Sequence, residues 1–136
     1  MFVRSALSVA AIGSVVALSA CGDDEKSSEP EAEAKASPQQ AITEIAAVRT
    51  ALGQAVDQVK AGDKAAADST VSEAYLQHFE KVEGPLEERD HELNEKLEDS
   101  IREELRDTIK TGSETEVEAL VEEIEGDLTT AEAKLK

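Results

Sequence analysis

A chain of 136 residues is long enough for a single domain with a modest core. It carries 31 acidic residues against 14 basic ones, a net charge of −17, and such a surface repels nucleic acid and anionic headgroups. Aromatic residues make up only 2% and there is one cysteine, so the core must be built from Leu, Ile, Val and Ala, with no internal disulfide to staple it.

The N-terminal stretch comes first. Arg4 is the one charge before Asp23, and "SALSVAAIGSVVALSA" between them is apolar or small throughout. That run falls short of the roughly 20 apolar residues of a spanning helix. A short basic start, an apolar middle and small residues at the end predict a secretory signal peptide over residues 1–20. Leu18, Ser19, Ala20 and Cys21 then read "LSAC", which resembles the lipobox of bacterial lipoproteins. The resemblance implies alkylation of the Cys21 thiol by a diacylglyceryl group and cleavage just before it. The other reading is an ordinary secretory signal with an incidental cysteine. At about 0.8 kcal/mol per buried CH₂, two acyl chains hold a protein on a bilayer where one does not. The expected partner is therefore a lipid bilayer, and the expected location is the outer face of a bacterial membrane. Losing Arg4 with the leader moves the net charge from −17 to −18.

Residues 22–38, "GDDEKSSEPEAEAKASP", are acidic, rich in Ser, Ala and Pro, and lack any large apolar side chain. Such a segment cannot bury enough surface to offset its ordering entropy. Residues 21–38 are expected to be a lipidated cysteine and a flexible acidic linker with a reach of about 20–25 Å.

From residue 39 the apolar positions recur at helical spacing, and the expected fold is all-α, an up-down-up-down four-helix bundle over residues 39–136. The first helix carries Ile42, Ile45, Val48, Leu52, Val56 and Val59. Ser37 suits its cap, Pro38 its first turn, and Gly62 a left-handed end. Asp63 caps the second, whose stripe is Ala67, Val71, Ala74, Tyr75, His78, Phe79 and Val82. Gly84-Pro85 is expected to end or sharply kink it, leaving Leu86 in the connection. Asp90 caps the third, with Leu93, Leu97, Ile101, Leu105 and Ile109 in strict i, i+4 order and a Glu98–Arg102 pair worth a few tenths of a kcal/mol. That helix stops at Gly112. Ser113 and Glu116 form a capping box for the fourth, which runs through Val117, Leu120, Val121, Ile124, Leu128, Ala131 and Leu135. Gly126 weakens this last helix by about 1 kcal/mol relative to Ala. No segment alternates with period two. Short connections between helices of this length favour antiparallel neighbours.

The densest chemistry lies in "AYLQHFEKVEGPLEERDHEL", residues 74–93, which holds both histidines, Tyr75, Phe79 and many carboxylates. His78, Glu80, Glu83, Asp90 and His91 are candidate metal ligands, since imidazole with carboxylate suits iron, zinc or copper. The plainer alternatives are a half-buried, hydrogen-bonded His78, a solvated acidic surface, a capping role for Asp90, and core roles for Tyr75 and Phe79. A di-iron bundle would require a Glu-x-x-His pair on each of two helices, and only one such pair, Glu88 to His91, occurs. No nucleophile stands near a histidine and no Gly-rich phosphate loop is present, so an enzyme is not expected. The rival expectation is a non-catalytic spacer or interaction bundle that docks a membrane partner without a ligand.

The run from "AAADSTVSEAYLQHFEKVEGPLEERD" through "IREELRDTIKTG" to the last amphipathic helix resembles the extracytoplasmic helical domain of bacterial high-affinity iron permeases of the oxidase-dependent type. The matching pattern is Ala-Tyr, then Phe-Glu, then Glu-x-x-Leu, then an acidic helix ending Arg-x-x-Ile-x-x-Gly, over about 70 residues. The family's membrane helices and Arg-Glu-x-x-Glu motif do not occur in this sequence. The resemblance therefore implies a free-standing outer domain carried on lipid, with Glu80 and Glu83 in the acidic positions and His78 beside them. Its implied role is capture or presentation of an iron ion, with an iron permease as partner.

Overall fold

The computed structural model describes residues 35–136; the expected signal peptide, Cys21 and most of the expected acidic tether lie outside the described residues. Within them the chain is all-helical, with four helices and no strand.

Each helix starts where a side chain answers its free amides. Ser37 accepts from the Gln40 amide while the Gln40 side chain accepts from the Ser37 amide, and the first helix, Pro38–Lys60, follows. The helix thus begins one residue earlier than composition placed the end of the tether, and Lys35 already pairs with Glu88 at 3.0 Å. Gly62 closes it at φ +80°, a region that excludes most side chains. Asp63 accepts from the Ala66 amide and opens the second helix, residues 64–87. Asp90 accepts from the Leu93 amide and opens the third, residues 91–111. The reciprocal Ser113–Glu116 box opens the fourth, Glu114–Leu135.

One expected boundary is corrected. Pro85 lies inside the second helix, which runs on to Glu87, and Leu86 is a fully buried core residue rather than part of a connection. Proline removes one backbone hydrogen bond and crowds the preceding turn. Here it falls in the last turn, where little helix remains to be disrupted, and its ring is buried.

The second and third helices each contain a π-turn, at Tyr75–Phe79 and Ser100–Glu104. Both answer a mismatch between the apolar spacing and 3.6 residues per turn. In the second helix the buried positions run Ala67, Val71, Ala74, then Phe79, Val82 and Leu86. A five-residue step in an α-helix rotates about 140°, which would throw Phe79 off the core. The wider π-turn absorbs the extra residue and leaves Phe79 fully buried. In the third helix each i, i+4 step from Leu93 to Ile109 overshoots a full turn by about 40°. The π-turn takes up part of that drift, and Leu97, Ile101, Leu105 and Ile109 all remain at 0% exposure.

Cross-helix pairs fix the neighbours. Gln58 with Thr70 and Glu44 with His78 join the first helix to the second. Asp68 with Arg106 and Tyr75 with Glu98 join the second to the third. Asp90 with Lys134 and Lys96 with Asp127 join the third to the fourth. Arg49 with Glu132 and Lys60 with Glu118 join the fourth back to the first. The core of this helical bundle is one apolar cluster with Phe79 its largest side chain. On the first helix Ala41 and Ala55 are fully buried while Ile42 and Val56 are only partly so. The buried stripe of this helix is thus Ala41, Ile45, Val48, Leu52, Ala55 and Val59, turned away from Ile42 and Val56.

Candidate functional site

The middle of the second helix supplies the chemistry, and its π-turn divides it between two neighbours. His78 faces the first helix, with Nδ1 2.6 Å from Glu44 Oε2, and Lys81 Nζ reaches the other Glu44 oxygen at 3.1 Å. The His78 hydrogen bond holds the Glu44 carboxyl below its usual range, against an opposing burial effect, with Lys81 acting in the same direction as His78. Glu44 is therefore an ionised acceptor and Nδ1 of His78 carries the donated proton. Nε2 has no hydrogen-bond partner among the described residues, and in a neutral imidazole with the proton on Nδ1 its lone pair is free to ligate.

His78 also lines a groove of about 400 Å³ between the first and second helices. Ala47, Ala51 and Ala74 contribute small side chains to it, and Glu73 and Gln77 line it with His78. The volume suits a small ligand.

The opposite side of the π-turn holds a second polar group. Tyr75 Oη donates to Glu83 Oε1 at 2.6 Å and lies 3.4 Å from Glu98 Oε1. Arg102 Nη1 donates to the same Glu98 oxygen at 2.9 Å, with its guanidinium 5.9 Å from the Tyr75 ring centroid. Tyr75 and Phe79 sit with ring centroids 5.9 Å apart. Burial raises the Tyr75 hydroxyl far above its usual range, with the Glu83 hydrogen bond adding to it. Burial also raises the Glu83 carboxyl, and the nearby charges of Glu98 and Glu80 push the same way, against the Tyr75 hydrogen bond.

The sign of that shift gives a stability prediction. Well below the ordinary glutamate value of 4.5, Glu83 is protonated in both folded and unfolded chains and costs nothing. As pH rises through the raised folded value, the native state must hold a charge that the unfolded chain carries freely, so stability is lost and stays lost at pH 7. Glu83→Gln keeps an acceptor for Tyr75 and removes the charge. The side chain is only partly buried, so the expected gain is about 0.5 kcal/mol, or roughly 2–4 °C in Tm at pH 7, with no gain at pH 3. Thermal melts at the two pH values check it.

The remaining nominated residues lie elsewhere. Glu80 is exposed on the second helix. Asp90 spends one oxygen on the Leu93 amide and the other on Lys134 at 3.0 Å, and the Lys134 contact, then the amide, hold its carboxyl below the usual range. His91 is exposed, with Nδ1 2.6 Å from Glu87 and Nε2 3.4 Å from Glu95; the Glu87 hydrogen bond raises its pKa above the ordinary value. The five candidates are thus spread over separate contacts. Among the described residues no three His, Cys, Asp or Glu side chains gather as a metal-ligating group. Cys21 lies outside the described residues. Among them, no helix is long and apolar enough to cross a membrane.

Sequence reasoning missed Glu44 and Glu73. A signal for Glu44 was present: it is the one charged residue between Gln39 and Val48 on the first helix. Its pairing with His78, 34 positions away, had no local trace. Comparison with protein-family models, curated proteins and solved structures finds no match to this chain.

Proposed function

We propose that this chain is an exported lipoprotein, held through acylated Cys21 and the acidic tether on the outer face of a bacterial membrane. Its domain is an up-down-up-down four-helix bundle that captures a transition-metal ion, iron foremost, and presents it to a transport system such as an iron permease. It binds its cargo without transforming it. The opposite running order of the pairs Gln58–Thr70 and Glu44–His78, repeated at each helix interface, supports the up-down arrangement. The "LSAC" run supports the anchor. Radiolabelled palmitate should enter the wild-type chain in a bacterial host and not the Cys21→Ser variant; equal absence from both would remove the anchor from this account.

One observation carries the cargo reading. His78 is the nominated residue that lines the groove, where the Nδ1 contact to Glu44 leaves Nε2 without a protein partner. Metal-ligating histidines are commonly oriented in this way by a carboxylate on the other nitrogen. Calorimetric titration of the full chain with Fe²⁺ under anaerobic conditions, and with Zn²⁺, is expected to show micromolar binding that falls at least tenfold in His78→Ala. Equal, weak uptake by both proteins would reduce the acidic surface to a diffuse counter-ion cloud.

A docking module without a ligand is the second reading. It is favoured by Leu76, 56% exposed and the one large apolar side chain exposed among the described residues. Leu76 shares the outward face of the second helix with Glu73 and Gln77, which line the groove. Equal, weak metal uptake in the titration would move the assignment to this reading.

A further inference from the structure

We infer that Glu73 and His78 together form the cation-binding pair of the groove, with Glu44 as the residue that positions the imidazole and a borderline divalent transition metal as the ligand. The inference rests on the cargo reading above and adds a ligand set that spacing along the sequence did not suggest. In a regular α-helix residues five apart stand about 140° round the axis from one another, which would turn Glu73 away from His78. The Tyr75–Phe79 π-turn begins between them and includes His78; its wider winding narrows that angle, and both residues line one groove. π-turns of this kind are frequent at functional sites.

The chemistry of the two donors is selective. A neutral imidazole nitrogen and a carboxylate oxygen suit Fe²⁺, Zn²⁺ or Cu²⁺ better than Mg²⁺ or Ca²⁺, which take oxygen alone. The charges around the pair are also favourable. Lys81 neutralises Glu44 rather than facing the groove, so Glu73 contributes an uncompensated negative charge there. Gln77, Thr50 and Gln54 line the same groove and can hydrogen-bond water molecules that complete the ion's coordination. Two protein ligands in an open groove make a site that exchanges its ion readily, which fits presentation to a partner rather than storage.

The test is calorimetric titration of the full chain in detergent with Zn²⁺ and, anaerobically, Fe²⁺, using His78→Ala, Glu73→Gln, Glu44→Gln and Glu80→Gln variants. Glu73 and Glu80 are exposed, so both of those variants are expected to fold, and helical circular dichroism verifies it. Glu73→Gln is expected to weaken binding at least tenfold, Glu44→Gln about tenfold through loss of orientation, and Glu80→Gln by less than twofold. X-ray absorption of the Zn²⁺ form is expected to show one imidazole nitrogen with oxygen ligands. Wild-type binding that depends on His78 but not on Glu73 overturns this ligand set and leaves the cargo reading standing. Absence of any binding that depends on His78 overturns both.

Discussion

Deleting Lys81 is expected to abolish folding, whereas deleting Leu76, only five positions earlier, is expected to leave a folded bundle. Removing a residue from an α-helix rotates everything beyond it by about 100° relative to what precedes. Loss of Lys81 would swing Val82 and Leu86, both fully buried, away from the core while Ala67, Val71 and Ala74 stayed in place. Two large apolar side chains would be exposed and Glu83 would be turned with them, a cost of several kcal/mol against a total stability of about 5–15 kcal/mol. Leu76 lies inside the π-turn, which is the one place in this helix that already holds a residue too many. Its removal shortens the step from Ala74 to Phe79 to four residues, a regular helical spacing, and sacrifices no buried contact because Leu76 is exposed. Far-ultraviolet circular dichroism and thermal melts of the two deletion variants decide the matter. A Leu76 deletion that unfolds as completely as the Lys81 deletion would show that the π-turn does not act as the register correction described.

Phe79→Ala is expected to destabilise the domain by about 3–5 kcal/mol, the range for large aromatic truncations in packed cores. Phe79 is the largest fully buried side chain, at 0% exposure, in a protein almost devoid of other aromatics. No neighbour of comparable size can collapse into the space. The substitution also removes the ring that stands beside Tyr75, loosening the support for the Tyr75–Glu83 hydrogen bond. At roughly 4–8 °C per kcal/mol for a domain near this size, Tm should fall by about 15 °C or more. Phe79→Leu should recover much of the loss, since it refills most of the volume. Urea denaturation checks both; a Phe79→Ala midpoint within experimental scatter of wild type would mean that the core is far more plastic than its uniform burial implies.

The metal candidates show where local reading of the chain ran out. His78 and Glu83 were both legible as chemistry-bearing residues, but the sequence grouped them with Glu80, Asp90 and His91 because all five fall within a short span. The helices separate that span by face. His78 turns to the first helix, Glu83 accepts from Tyr75 on the opposite side, and Asp90 is occupied by its own helix start and by Lys134. The contact that orients His78 comes instead from Glu44, a helix away, and the groove His78 lines is shared with Glu73.

The sequence by itself determined the four helices, because caps and apolar periodicity act over a few residues. Ser37, Asp63, Asp90 and Ser113 each accept from an amide three residues on, and Gly62 takes the one positive φ among the described glycines. It also determined which side of each helix is buried, with the first helix shifted toward Ala41 and Ala55. Only the tertiary structure decided that Pro85 and Leu86 stay within a helix, that two π-turns bring mismatched stripes back onto the core, and that Glu44 orients His78. These depend on packing against other helices: burying Phe79, Leu86 and the third-helix stripe offsets the strain of irregular winding. An isolated segment has no such compensation.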